Sequence, residues 1–202
     1  MKRGTLIVFE GLDGCGKSTQ LRRAAERLAR LGLAPVVTRE PTDGPWGRKI
    51  RAMARSGEAV DPETELAWFI EDRREHMREV VEPALAQGRL VLSDRSYLST
   101  VAYQGARGLD AEKILSDSEA EFARPDLILL FSLPAKRGLE RIAARGGTSE
   151  PVFENLAFLE RVGENFERLA VEGLERIDAD RSEDAIAIDV DAAIEAALER
   201  PA

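Results

Sequence analysis

Gly11-Leu12-Asp13-Gly14-Cys15-Gly16-Lys17-Ser18-Thr19 reads G-x-x-x-x-G-K-S, and its flanks decide what it means. The apolar run Thr5-Leu6-Ile7-Val8-Phe9 precedes it, and an amphipathic segment carrying Leu21, Ala24, Ala25, Leu28 and Leu31 follows. A strand that turns through glycines into a helix start is the setting a phosphate-binding loop (P-loop) requires. Glycines remove side chains that would block backbone N–H groups from pointing at one anion, and the new helix adds the positive end of its dipole. Lys17 supplies a point charge for the outer phosphates, and the Ser18 hydroxyl a ligand for magnesium. Gly11 to Thr19 are therefore expected to hold a nucleoside triphosphate.

Working outward, short β-rich runs alternate with longer helical patterns, which predicts an α/β, three-layer P-loop fold: a central parallel sheet of about five strands flanked by helices. The expected strands are Thr5 to Phe9, Pro35 to Thr38, Arg89 to Ser93, Asp126 to Phe131 and Leu174 to Ile177. Arg39-Glu40-Pro41-Thr42-Asp43-Gly44-Pro45 is too rich in Pro and Gly to extend its strand. It is a loop at a strand's carboxyl end, where ligands bind in open α/β sheets. A short helix from Gly47 to Arg55 carries Arg48, Lys49 and Arg51, and a longer one starts with Asp61 as N-cap and Pro62 in its first turn. That helix is expected to kink or stop near Pro83. Pro134 opens a helix that ends at Arg145-Gly146-Gly147, and residues 146–151 read as a mobile segment. A single domain over 1–202, with a lid at about 141–153, is the expected organisation.

Composition narrows the chemistry. Cys15 and His76 are the only residues of their kinds, which excludes internal disulfides, cysteine metal clusters, Ser-His-Asp triads and multi-histidine zinc sites. His76 itself reads as a polar helix position. A net charge of −8 argues against a general nucleic-acid or membrane binder, so anionic ligands must be held by a few arginines gathered at one site. No apolar run approaches membrane-spanning length, and Met1-Lys2-Arg3 leads straight into the first strand, so a cytoplasmic protein is expected.

Four constellations carry candidate chemistry. Phe69 and Arg73 sit four apart on one helix, so ring and guanidinium meet on one face. The ring suits stacking on a base, and a guanidinium, which only donates, accepts a carbonyl edge such as that of thymine, uracil or guanine. On spacing alone, Phe69 could equally be core and Arg73 a surface charge. Asp94 and Arg95 follow a buried strand, where P-loop proteins keep the carboxylate of the magnesium shell, and Arg95 can reach a phosphate; an ordinary ion pair would look the same. Thr100, Tyr103 and Gln104 share one helical face that could line a sugar-and-base pocket or simply face water. Arg141 and Arg145 precede the Gly146-Gly147 hinge, as an arginine finger supplied from the same chain would, or as a solvated helix face. Together these features point to phosphoryl transfer onto a nucleotide.

In order along the chain, Phe-Glu-Gly-Leu-Asp-Gly at 9–14, Thr-Arg-Glu-Pro at 38–41, Phe69 with Asp72-Arg73-Arg74-Glu75-His76, Asp94-Arg95, Ala-Tyr-Gln-Gly at 102–105 and Arg-Pro-Asp at 124–126 resemble the bacterial thymidylate kinases. That family phosphorylates dTMP to dTDP with ATP. The resemblance implies that Gly11 to Ser18 hold ATP, that Phe69 stacks on thymine and that Arg73 bonds its O4. It implies that Arg95, with Arg51 and Arg39 in the loop containing Glu40 and Pro41, holds the acceptor phosphate. Asp13 would approach the sugar hydroxyl and the transfer network, Tyr103 would crowd the 2′ position, and Thr100 and Gln104 would line the base edge. Mg2+ on Ser18 and Asp94, and a homodimer, come with the same resemblance. Gly14 stands where one branch of the family has an arginine; in the other branch lid arginines take over, a role open to Arg141 and Arg145. The departure lies in the lid, where no basic residue occurs between Arg145 and Arg161. Another nucleoside monophosphate kinase of dUMP or GMP type, or a nucleotide-binding regulator without phosphotransfer, remains as an alternative.

Overall fold

The computed structural model of the chain describes residues 3–144, 146 and 155–199. β1 (Leu6–Gly11) is the middle strand of a five-stranded parallel sheet ordered β2-β3-β1-β4-β5, with β2 at Val36–Arg39, β3 at Val91–Asp94, β4 at Leu127–Ser132 and β5 at Leu174–Asp178. Both faces of the sheet are covered. Ile7, Phe9, Leu92, Leu129 and Phe131 face a core shared with α1 (Lys17–Arg30) and α9 (Glu183–Glu199). Leu6, Val8, Val91, Ile128 and Leu130 face the other core, shared with α5 (Tyr97–Ala106) and α8 (Leu156–Arg168). Side chains alternate between faces along a strand, so a strand buried on both sides reads as an unbroken apolar run.

Each strand ends one or two residues later than its apolar run suggests, because pairing continues to the ligand end of the sheet. Arg39 pairs with Asp94, so β2 and β3 end level, and β1, whose Phe9 also pairs with Asp94, runs two residues further along β4 to Gly11. α2 (Pro45–Ser56) begins two residues before the expected start, since proline fits the first helical turn, where an N–H is not needed. Asp61 caps α3 (Pro62–His76), its carboxylate accepting from Thr64 N at 2.9 Å. Of the kink or stop expected near Pro83, the helical path does not stop, but its regular α form breaks just before that proline. A π-helical segment, Met77–Val81, leads into α4 (Glu82–Ala86), which places Pro83 in a first turn. α6 (Ala111–Glu121) completes the layer beside α5, and α7 (Ala135–Ala144) leads toward the expected lid. Arg145 and residues 147–154 lie outside the described residues, so the lid and the mobile segment expected there fall largely beyond them.

Candidate active site

The loop after β1 bends through three glycines at positive φ: Gly11 at 139°, Gly14 at 79° and Gly16 at 96°. Each is a backbone shape that side chains rarely adopt. Gly14 is also pinned by contact, for a Cβ there would lie 2.2 Å from the Gly138 carbonyl oxygen of α7. The loop and α7 thus meet backbone to backbone, and an arginine at position 14 would not fit this packing. Gly16 caps α1, whose first N–H groups are left for an anion.

Lys17 is buried, and its ammonium donates to Leu12 O and Asp13 Oδ1, each at 3.3 Å. Burial and the nearby Arg95 oppose its charge, but Asp13, Cys15 and Asp94 together outweigh them and raise it above the usual lysine range. Asp13 also takes Arg95 Nη2 at 2.7 Å. Burial would push the Asp13 carboxyl up, yet 43% of the side chain stays exposed, and the Arg95 and Lys17 cations hold it well below the usual range. Asp13 therefore links the cation of the loop to the arginine of the neighbouring pocket.

Arg95 follows β3 in a left-handed conformation, φ 78°, the one non-glycine residue so placed among the described residues. Its N–H donates to Phe9 O at 2.9 Å, and Nη1 donates to Ser99 Oγ at 2.8 Å. Behind it stands Glu10, fully buried, which accepts from Ser96 N and Oγ at 2.7 Å and from Ser99 Oγ at 2.6 Å. Burial raises the Glu10 carboxyl, and these hydroxyl and amide donors work against that rise. Sequence reading gave Glu10 no role, although a carboxylate inside an apolar strand was a visible signal of a buried partner set.

Next to the loop lies a pocket of about 220 Å³ lined by Asp13, Arg39, Glu40, Pro41, Ile50, Arg51, Ala54, Phe69, Arg73, Arg95, Ser96, Ser99, Thr100, Tyr103 and Gln104. The residues expected around an acceptor nucleotide, drawn from β2, α2, α3, β3 and α5, are gathered here. Phe69 is half-buried rather than core, and Arg73 is only 1% exposed rather than a surface charge. Arg73 Nε donates to Glu40 Oε2 at 2.9 Å and Nη2 to Thr100 Oγ1 at 2.9 Å, while Nη1 is buried with no partner among the described residues. Gln104 Oε1 is likewise buried and unpartnered among them, its Nε2 donating to Glu65 Oε1 at 2.8 Å. A buried donor and a buried acceptor left open in one pocket are costly unless a ligand completes them.

His76, expected only as a polar helix position, is buried in α3 and bonded at both ring nitrogens. At 3% exposure it bonds Glu40 Oε1 through Nδ1 at 2.9 Å and Thr38 Oγ1 through Nε2 at 2.6 Å. Arg73 and His76 lie three apart on α3, so both reach the same Glu40 at the end of β2. Burial disfavours the Glu40 carboxylate, but Arg73 and His76 more than offset this and lower it below its ordinary value. Asp72 ties down the same loop, accepting from Thr42 N at 2.8 Å and Thr42 Oγ1 at 2.6 Å.

Arg51 donates to Pro41 O at 2.8 Å, and Asp43 pairs with both Arg39 at 2.7 Å and Arg51 at 2.9 Å. Tyr103 stacks beneath the Arg95 guanidinium at 5.2 Å, and burial together with the Asp13 charge pushes its phenol up to about 12, so it stays protonated. Arg141 donates to Ala179 O at 3.0 Å and pairs with Asp180 at 3.4 Å. Ser18 Oγ donates to Asp94 Oδ2, and Asp94 Oδ1 is buried without a partner among the described residues. That hydroxyl and free carboxylate oxygen fit a magnesium ion that completes its shell with water and phosphate oxygens.

A glycine loop at the end of the central strand of a parallel sheet, with a second polar pocket adjoining it across Asp13 and Arg95, defines a phosphate-loop fold. The thymidylate kinase family model matches residues 9–190. The chain belongs to the thymidylate kinase family. It is 43% identical over 188 residues to the thymidylate kinase of Desulfotalea psychrophila, covering 93% of this chain and 92% of that protein. It is 42% identical over 196 residues to the thymidylate kinase of Xanthomonas campestris pv. campestris, covering 96% of this chain and 85% of the other.

Proposed function

We propose that the chain transfers the γ-phosphoryl group of ATP to dTMP, giving dTDP and ADP. The observation that carries this is the open pair in the second pocket: Arg73 Nη1 as donor and Gln104 Oε1 as acceptor. A thymine edge offers O4 to the first and N3–H to the second, with Phe69 beside the ring. Cytosine offers an amino group and a bare nitrogen at those positions.

The acceptor's phosphate is largely dianionic at neutral pH, its second pKa being about 6, so no general base is required. What remains is alignment, charge neutralisation and exclusion of water. In this reading Arg95, Arg51 and Arg39 take the acceptor phosphate, and Lys17 and the N–H groups of Gly11 to Thr19 take the donor's. Asp13 holds Lys17 and Arg95 in place until the phosphates arrive, and Tyr103 stands where a ribose 2′-hydroxyl would go. Mg2+ held by Ser18 and Asp94 would supply neutralising charge to the phosphates of ATP. Arg141 and Arg145, on a lid at about 141–153, add charge when the lid closes. Homodimerisation and a cytoplasmic location complete the reading; both rest on family membership, and no helix among the described residues is long and apolar enough to cross a membrane.

A coupled assay scanning dTMP, dUMP, dGMP, GMP and dCMP with ATP tests the assignment. dTMP as best acceptor and dCMP as poor acceptor is the expected outcome. Preference for a guanine nucleotide would make the chain a different monophosphate kinase, and ATP hydrolysis indifferent to every monophosphate would make it a regulator.

A further inference from the structure

α3 places Glu65, Phe69 and Arg73 at i, i+4 and i+8 on one face, and α5 places Thr100 and Gln104 four apart on the face opposite. The helices are joined there by two rungs. Arg73 Nη2 donates to Thr100 Oγ1 at 2.9 Å, and Gln104 Nε2 donates to Glu65 Oε1 at 2.8 Å, with Phe69 between them on α3. The first rung and Phe69 line the 220 Å³ pocket; Gln104 lines it too, but Glu65 does not.

A glutamine amide has no inherent polarity toward a ligand, because half a turn of its last torsion exchanges oxygen and NH2. Its partner decides. Glu65 is 0% exposed, and its second oxygen accepts from Arg107 Nη1 at 2.6 Å, while Arg107 Nη2 donates to Val60 O at 2.7 Å. Burial raises the Glu65 carboxyl, and the Gln104 amide and the Arg107 guanidinium work against that rise; ionised between these two donors, the carboxylate can only accept. The NH2 of Gln104 must then face Glu65, which leaves Oε1 as the atom it has free.

We infer that Glu65 is a positioning residue that sets the donor–acceptor polarity of the pocket: through the Gln104 amide it makes the base-reading edge select a ring presenting N–H beside a carbonyl. The inference rests on the reading of this pocket as the acceptor-base site. Glu65 never touches the acceptor; without its carboxylate the amide is free to turn, and an NH2 group would then oppose N3–H of thymine.

The test is Glu65→Gln, whose amide can donate to Gln104 Oε1 and so permits the turn. Steady-state kinetics with dTMP and dCMP are measured for wild type, Glu65→Gln, Gln104→Ala and the double variant, with thermal melts of each. The expected result is a KM for dTMP raised about tenfold or more in Glu65→Gln, kcat and the KM for ATP close to wild type, and a kcat/KM ratio of dTMP to dCMP reduced by a similar factor. In the Gln104→Ala background Glu65→Gln should leave that ratio unchanged. A folded Glu65→Gln with the wild-type ratio, or one whose effect persists in full without Gln104, overturns the inference while leaving the dTMP assignment standing. Wild-type protein that does not distinguish dTMP from dCMP overturns both. Should Glu65→Gln fail to fold, Glu65→Asp serves: its shorter carboxylate cannot span Gln104 and Arg107 together, and the same fall in ratio is expected, its absence contradicting the inference.

Discussion

The loop from Gly11 to Thr19 offers its ligand a backbone, whereas the pocket between α3 and α5 offers side chains that other side chains hold in place. In the loop, positive φ at Gly11, Gly14 and Gly16 does the shaping, and the Lys17 ammonium is held by Leu12 O and Asp13, five and four residues away. In the pocket, Arg73 depends on Glu40, 33 residues away, and Gln104 on Glu65, 39 residues away. A site made of backbone tolerates little change in the loop itself and leans on the rest of the chain at a few points such as Gly138 and Arg95. One made of a side-chain network can be detuned from many positions, each by a smaller amount.

The largest effect should come from the loop. Lys17→Ala removes its only cation and is expected to lower turnover by about 10²- to 10³-fold or more, measured by the coupled assay at saturating dTMP. Gly14→Ala should come next, because a Cβ would sit 2.2 Å from Gly138 O at a φ of 79°. A loss of about 1–3 kcal/mol in stability, read by thermal or urea unfolding, is expected together with weaker ATP binding. Unchanged stability would show that the contact between the loop and α7 yields easily.

The pocket should show itself through pH. Glu40 is held below its ordinary value of 4.5 in the folded protein, chiefly because Arg73 and His76 outweigh its burial. Its ionised form therefore contributes stability in full above that value and loses it as pH falls through the range below. Glu10, raised by burial, contributes with the opposite sign, so the informative quantity is the difference between wild type and Glu40→Gln. Wild type should lose melting temperature between pH 5 and pH 3 more steeply than the variant; parallel curves would remove Glu40 from the stabilising network.

The smallest effect is expected at the pocket's outer wall. Lys49 lies 3.9 Å from the Trp68 ring centroid and 5.1 Å from that of Trp46, bridging α2 to α3. Lys49→Met should cost about 0.5–1 kcal/mol and shift tryptophan emission, with only a slight rise in the KM for dTMP. A rise as large as that from a change inside the pocket would mean that α2 is positioned mainly by this bridge.

The same contrast explains what could be read in advance. Glycines, the lysine and the flanking periodicities of the phosphate loop are contiguous, so local backbone rules recover it, and the apolar runs recover the sheet to within a residue or two. Phe69 with Arg73, and Thr100 with Gln104, were legible as helical spacings but not as facing pairs, because which helix faces which is decided by packing. Glu10, Glu65 and His76 escaped because each acts through partners far along the chain: nothing near His76 in sequence announces Thr38 or Glu40. Arg141 was legible as a cation near a hinge, while its engagement with Ala179 depends on where the end of β5 falls.

Calorimetric titration of Arg73→Ala with dTMP and with a non-hydrolysable ATP analogue, beside the same titrations of Lys17→Ala, bears most directly on the division of labour. Affinity for dTMP should fall about 10²-fold in Arg73→Ala with the ATP analogue bound nearly as before, and Lys17→Ala should show the reverse. Equal losses of both ligands in Arg73→Ala would contradict the assignment of that pocket to the acceptor.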